Sequence, residues 1–169
     1  MNWALAIIGI VAIQRLGELP FAEFNTRRLM ARGAVEIGRA HYPVIVVLHA
    51  AWLIAIFLAL PSPPVIYAVP LAIYTVLQVL RTWTLWSLGR YWTTRIITVP
   101  DAPLVRRGPY RFMRHPNYAI VEAEMILLPL VFGEWLVGIV FLVLNTLVLG
   151  FRIREEDRAL EARRTIGAQ

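Results

Sequence analysis

The stretch WTTRIITVPDAPLVRRGPYRFMRHPNY, residues 92–118, is the part of the chain densest in groups that can do chemistry at a lipid–water boundary. Pro116 favours a helix start, because its missing N–H would be unpaired there anyway. His115 then falls at the N-cap, with Asn117 and Tyr118 in the first turn. Tyr118 and the apolar run behind it carry this helix into a membrane. An imidazole, a phenol and free backbone N–H groups then meet at the membrane surface, an arrangement that attracts carboxylates or phosphates. The same residues would also serve as a juxtamembrane arginine cluster with an interfacial tyrosine belt.

Two further groups of polar residues qualify. In Phe151-Arg152-Ile153-Arg154-Glu155-Glu156-Asp157-Arg158, a helical reading puts Arg152 and Glu156 four apart on one face. They are either a paired site or a solvated charge pair closing a membrane helix. Arg15, Glu18, His49, Arg81, Glu122 and Glu124 lie inside apolar segments. A charge at mid-membrane costs about 2.5–3.5 kcal/mol on insertion scales, so such groups turn toward a bundle interior or a cavity. Glu122 and Glu124, about 200° apart around a helix, cannot both face one pocket. Arg15 and Glu18, at i and i+3, read as a structural pair, and His49 as a hydrogen-bonded core residue.

Membrane helices must position these groups. The chain has 169 residues, 59% of them hydrophobic and 17% charged. Soluble domains sit nearer half apolar and a quarter charged. The expected spans run from Trp3 to about Phe21, from Tyr42 to Leu60 and from Val65 to about Leu88. The run from Tyr118 to Phe151 is too long for one crossing of about 20 residues. Broken at Gly133-Glu134-Trp135, it reads as a helical hairpin. The fold class expected is an all-α membrane protein of about five transmembrane helices. It forms one domain, 1–169, with a three-span part (1–89) and a catalytic part (90–169).

All basic residues are arginine, and the net charge is +6. Apart from Arg15 and Arg81 inside the spans, they fall after the first, third and fifth spans, while the turns after the second and fourth hold none. The positive-inside rule then puts the N-terminus outside and the C-terminus in the cytosol of a multi-pass membrane protein, the inner membrane if the cell is bacterial. This distribution favours lipid headgroups as partners and no nucleic acid. The first apolar run lacks a basic n-region and a small-residue cleavage site, so it reads as a retained span. With no cysteine in the chain, thiolate catalysis, disulfides and cysteine-ligated zinc are excluded.

The ordered elements Leu104-Val105, Gly108-Pro109-Tyr110 and Arg114-His115-Pro116-Asn117-Tyr118, then Arg152, Glu156-Asp157 and Ala159-Leu160, flank an apolar hairpin. In this the chain resembles the isoprenylcysteine carboxyl methyltransferase family over roughly its C-terminal 80 residues. Trp92-Thr93-Thr94-Arg95 and the run from Arg114 to Tyr118 look most like its bacterial branch that O-methylates lipidic polyketides such as alkylpyrones and alkylresorcinols.

The resemblance implies an S-adenosyl-L-methionine pocket on the cytosolic side, consistent with the lack of a dinucleotide-type glycine fingerprint. By position, Pro103, Leu104, Val105, Tyr110, His115, Pro116, Asn117 and Tyr118 would line the cofactor, with Arg95 beside them. Glu156 would hold a polar group of the cofactor, and Arg152 would face the reacting oxygen of a lipophilic or lipidated acceptor. No metal is implied. A carboxylate acceptor needs no base, whereas a phenol or enol would benefit from one, for which Glu124 is the candidate. Two other readings share these residues: N-methylation of a phospholipid amine, and a non-enzymatic transporter or assembly subunit using the intramembrane charges as a polar path.

Overall fold

The computed structural model describes residues 3–100 and 105–166, the side chains of Ala40 and of residues 159–166 apart. It is a helical membrane bundle: α1 (Trp3–Met30), α2 (Tyr42–Ala59), α3 (Ala68–Leu88), α4 (Pro116–Val131) and α5 (Trp135–Ile166). Four of these, all but α4, are long and apolar enough to cross a membrane.

The fifth expected crossing takes a different form. α4 has 16 residues, roughly 24 Å at the α-helical rise and short of a hydrocarbon core about 30 Å thick. It still runs between the two ends of the bundle. Its first residues meet α5 near Asp157, where His115 Nε2 lies 3.2 Å from Asp157 Oδ1. Its last carbonyl, Val131 O, accepts from Tyr67 N at 2.8 Å just before α3 begins. Ile120, Val121, Glu124, Met125, Leu128 and Val131 are all buried, which makes α4 the inner helix. A helix packed among others can carry two glutamates that a lipid-facing one could not.

One end of the bundle is closed by an apolar core. Ala4, Ile8 and Val11 of α1 pack with Trp52 and Ile56 of α2, Tyr74 of α3, and Met125, Leu128 and Val131 of α4. Trp52 Nε1 donates to Met125 O at 3.2 Å, which satisfies the indole inside this core. The α4–α5 turn sits at the same end. Gly133 there has φ +81°, a left-handed conformation open to glycine, and a Cβ would lie 3.0 Å from the Tyr67 ring.

The opposite, polar end gathers the loops. A short antiparallel pair joins β1 (Val35–Ile37) to β2 (Ile96–Thr98), with Glu36 opposite Ile97. Its β-branched residues suit an extended pair, and it clips the α1–α2 connection onto the segment after α3. Asn25 of α1 fastens that segment further, donating through Nδ2 to Trp92 O at 2.8 Å and Gly89 O at 3.2 Å. Phe21 stacks on Trp92 with centroids 5.5 Å apart. α1 therefore continues nine residues past the expected end of its span, from Phe21 to Met30, because its last turns grip the polar segment rather than lipid.

Candidate active site

The site is built where α4 begins and α5 leaves the bundle. Pro116 is the first residue of α4 and His115 its N-cap, but the imidazole makes no cap bond to the helix. It turns toward α5 instead. Nε2 lies 3.2 Å from Asp157 Oδ1 and Nδ1 lies 3.6 Å from Glu156 Oε2. The ring stacks on Tyr118 at 5.4 Å between centroids with 17° between planes. Tyr118 Oη donates to Glu156 Oε2 at 2.7 Å. One carboxylate oxygen of Glu156 thus ties together two successive elements of α4's start.

Arg152, one helical turn before Glu156, is buried and donates from Nη2 to Thr94 O at 2.9 Å. Its guanidinium is therefore fixed by the backbone of the segment that Asn25 holds. Arg95 stands beside it, its guanidinium 3.4 Å from Glu36 and 3.5 Å from Glu23, and 5.2 Å above the Tyr42 ring. Tyr42 Oη accepts from Thr94 Oγ1 at 3.2 Å.

Tyr110 lies in a tight 3₁₀ turn, Gly108–Arg111, packed on the end of α3. Arg107 Nε donates to Ser87 O at 2.7 Å and anchors the turn. Burial, and then the negative charge of Glu156, push the Tyr110 phenol well above its ordinary range. It stays a neutral donor at physiological pH.

Gly108 has φ +58°, and a Cβ there would land on Ser87 Oγ and lie 2.9 Å from Ser87 Cβ. Gly108→Ala is therefore expected to cost about 1–3 kcal/mol, from left-handed strain and overpacking. It should lower the thermal midpoint in detergent and weaken ligand binding by lifting Tyr110 away. An unchanged midpoint would show that the turn accepts a side chain.

These groups share a cavity of about 800 Å³ lined by Arg95, Val105, Tyr110, His115, Asn117, Tyr118, Arg152 and Glu156. Its volume is in the range of small-molecule and cofactor sites. Pro116, expected to line the cofactor, is buried as the first residue of α4 and is not on the cavity wall, because it serves as the helix start. Pro103 and Leu104 lie outside the described residues. Glu124 is not on the wall. It is buried behind it, with Arg15 at 2.6 Å, Arg81 at 3.4 Å and Gln78 at 2.8 Å. The expected base thus has its oxygens occupied by two guanidinium groups and an amide. Glu122, as its spacing required, faces elsewhere, accepting from Asn145 at 2.9 Å and Thr146 at 3.0 Å on α5.

Sequence reasoning passed over Tyr42, Asn25 and the Thr94 carbonyl. Their parts depend on α1, α2 and the segment after α3 converging, and no local spacing announces that.

Toward the closed end, the cavity continues between α1 and α2, along Ala12, Leu16, Leu19, Ile45, Val46, Ala50 and Leu53. Leu16 and Val46 are also exposed on the bundle surface, so the cleft opens onto surface that lipid covers. A polar wall and an apolar slot are thus parts of one space.

S-adenosylmethionine offers an amino acid end, ribose hydroxyls and a sulfonium. Glu156, Asn117 and the tyrosine faces suit those groups. Asn117 Oδ1 and Arg152 Nε, on two residues lining the cavity, are buried without a hydrogen-bond partner among the described residues. Such atoms cost about 1–3 kcal/mol each until a partner comes, so the donor and acceptor set fits a polar ligand.

The chain is 39% identical over 165 residues to YpbQ, an uncharacterized protein of Bacillus subtilis, covering 95% of this chain and 97% of that one. An uncharacterized Haemophilus influenzae protein is 25% identical over 156 residues, 89% of this chain and 90% of the other. No solved structure matches. The model of the isoprenylcysteine carboxyl methyltransferase family matches residues 68–162, from the start of α3 to the far side of Glu156. By that match the chain belongs to the isoprenylcysteine carboxyl methyltransferase family of membrane proteins.

Proposed function

We propose that the protein transfers a methyl group from S-adenosylmethionine to an oxygen of a lipid acceptor. One observation carries this reading: a polar wall made by His115, Tyr118, Arg152 and Glu156 opens into the same cavity as an apolar slot between α1 and α2. When bound, S-adenosylmethionine supplies an electrophilic methyl on a sulfonium.

The residues divide the remaining work. Glu156, already accepting from Tyr118, presents its carboxylate to the cofactor's polar groups. The ring faces of Tyr110 and Tyr118 suit a sulfonium, as aromatic faces attract cations. Arg152, pinned by Thr94 O, directs its guanidinium at the acceptor oxygen and keeps it anionic. Positioning of this sort is worth up to about 7–11 kcal/mol for ideally oriented partners. The apolar slot excludes water, which would otherwise solvate a carboxylate or phenolate better than the charge-neutralising transition state.

With Glu124 occupied by Arg15 and Arg81, the reading favours acceptors that are already ionised near neutral pH: a lipid carboxylate, or an acidic enol or phenol of a lipidic polyketide. The polar end faces the cytosol, where S-adenosylmethionine is made.

The test is purified protein in detergent with methyl-labelled S-adenosylmethionine and a bacterial lipid extract, beside calorimetry with S-adenosylhomocysteine. Micromolar binding and label in an ester or ether of a lipid are expected. Label in a phospholipid amine would move the acceptor from oxygen to nitrogen. No binding of either nucleoside would overturn the reading.

A further inference from the structure

A second cluster of polar groups lines the same cavity far from the polar wall: Arg15 and Glu18 on α1, His49 on α2 and Arg81 on α3. Arg15 and Glu18 precede Asn25, which marks the level of Trp92, by ten and seven residues, placing them roughly 10–15 Å further into the bundle. His49 is seven residues into α2 from Tyr42, whose phenol meets Thr94 beside Arg152, so it lies about 10 Å inward as well.

Part of this cluster is occupied. Arg81 Nε and Nη2 hold Glu18 at 2.9 and 2.5 Å, and Arg15 holds Glu124 at 2.6 Å. Two features exceed what helix packing needs. Arg15, Glu18 and His49 stand on a cavity wall at mid-membrane depth, where polar groups are costly unless they pair or function. His49 Nδ1 lies 2.8 Å from Ile45 O. A carbonyl only accepts, so Nδ1 carries the proton and Nε2 is left as an acceptor. An acceptor nitrogen, a carboxylate and a guanidinium around one apolar slot make a site for a hydroxyl, which both donates and accepts.

We infer that this inner cluster is a second polar subsite, in which His49, Glu18 and Arg15 receive a hydroxyl on the body of the acceptor lipid. Resting on the methyltransferase reading for which end reacts, it narrows the acceptor class. The lipid carries its reacting oxygen at Arg152 and a hydroxyl roughly 10–15 Å away along its length, unlike a headgroup on a plain hydrocarbon chain.

Octadecanoate and 12-hydroxyoctadecanoate are suitable probes, with binding to the purified protein followed by quenching of its tryptophan fluorescence. The hydroxylated acid should bind about tenfold more tightly, the worth of one good hydrogen bond. His49→Phe should abolish that preference, and His49→Gln, which restores a side-chain acceptor, should return it. Affinity for S-adenosylhomocysteine should be the same in all three proteins. Equal affinity for the two acids in the wild type, or no saturable binding of either, overturns the subsite. So does a preference that survives in His49→Phe. If S-adenosylhomocysteine fails to bind while the hydroxyl preference holds, the methyl-transfer reading falls and the subsite stands.

Discussion

Glu156→Ala is expected to weaken S-adenosylhomocysteine binding by roughly tenfold to a hundredfold and to abolish measurable methyl transfer. Hydrogen bonds to a charged group are worth about 1.5–3 kcal/mol, and every 1.4 kcal/mol is a factor of ten. The carboxylate also organises its neighbours. It accepts from Tyr118 at 2.7 Å and lies 3.6 Å from His115 Nδ1, so its removal frees both rings that flank the cavity. Glu156→Gln separates the two contributions, because the amide oxygen can still accept from Tyr118 while the charge is gone. An intermediate loss in the glutamine variant would show that charge matters beyond geometry. Calorimetry measures the affinity directly, and an alanine variant that binds as tightly as the wild type would remove Glu156 from the site.

His115 offers a contrast within the same cluster. Its Nε2 meets Asp157 on α5, so His115 joins the start of α4 to the exit helix. If that junction is its main service, His115→Asn should lower thermal stability more than it lowers affinity for the nucleoside, the reverse of the order expected for Glu156.

How much of this was legible in advance follows from the range of each interaction. α2 was expected over Tyr42–Leu60 and found over Tyr42–Ala59, because hydropathy and a Pro-rich stop are local signals. Proline at the start of α4 and the shared face of Arg152 and Glu156 were equally local, set by backbone sterics and the helical turn. α1 was cut short at Phe21, since a hydropathy reading detects lipid and not the continuing helix by which Asn25 reaches Trp92. β1 and β2 escaped notice because three-residue strands take their stability from a partner 59 to 63 positions away. The site itself was half visible. Its motif residues were apparent, but the contributions of Asn25 and Tyr42, on helices outside the motifs, were not.

The same distinction governs Glu124. Arg15 and Glu18 were expected to pair through i,i+3 spacing, and Arg15 Nη1 does lie 3.6 Å from Glu18 Oε2. The stronger contacts run between helices: Arg15 to Glu124 across 109 positions and Arg81 to both glutamates. Two arginines and two glutamates thus join α1, α3 and α4 in a neutral cluster. Glu124→Gln leaves Arg15 and Arg81 sharing Glu18, with one positive charge uncompensated in the bundle. Breaking a buried pair from one side costs about 3–5 kcal/mol, so a large fall in the thermal midpoint in detergent is expected. Turnover per folded molecule at low temperature should change little, because Glu124 does not line the cavity. A protein of normal stability that has lost transfer to a phenolic acceptor, yet retains it to a carboxylate, would return Glu124 to the role of proton acceptor. Glu124→Gln combined with Arg15→Gln supplies the internal control. Removing one charge of each sign should recover part of the lost stability, and no recovery would mean that the two residues do not act as a pair.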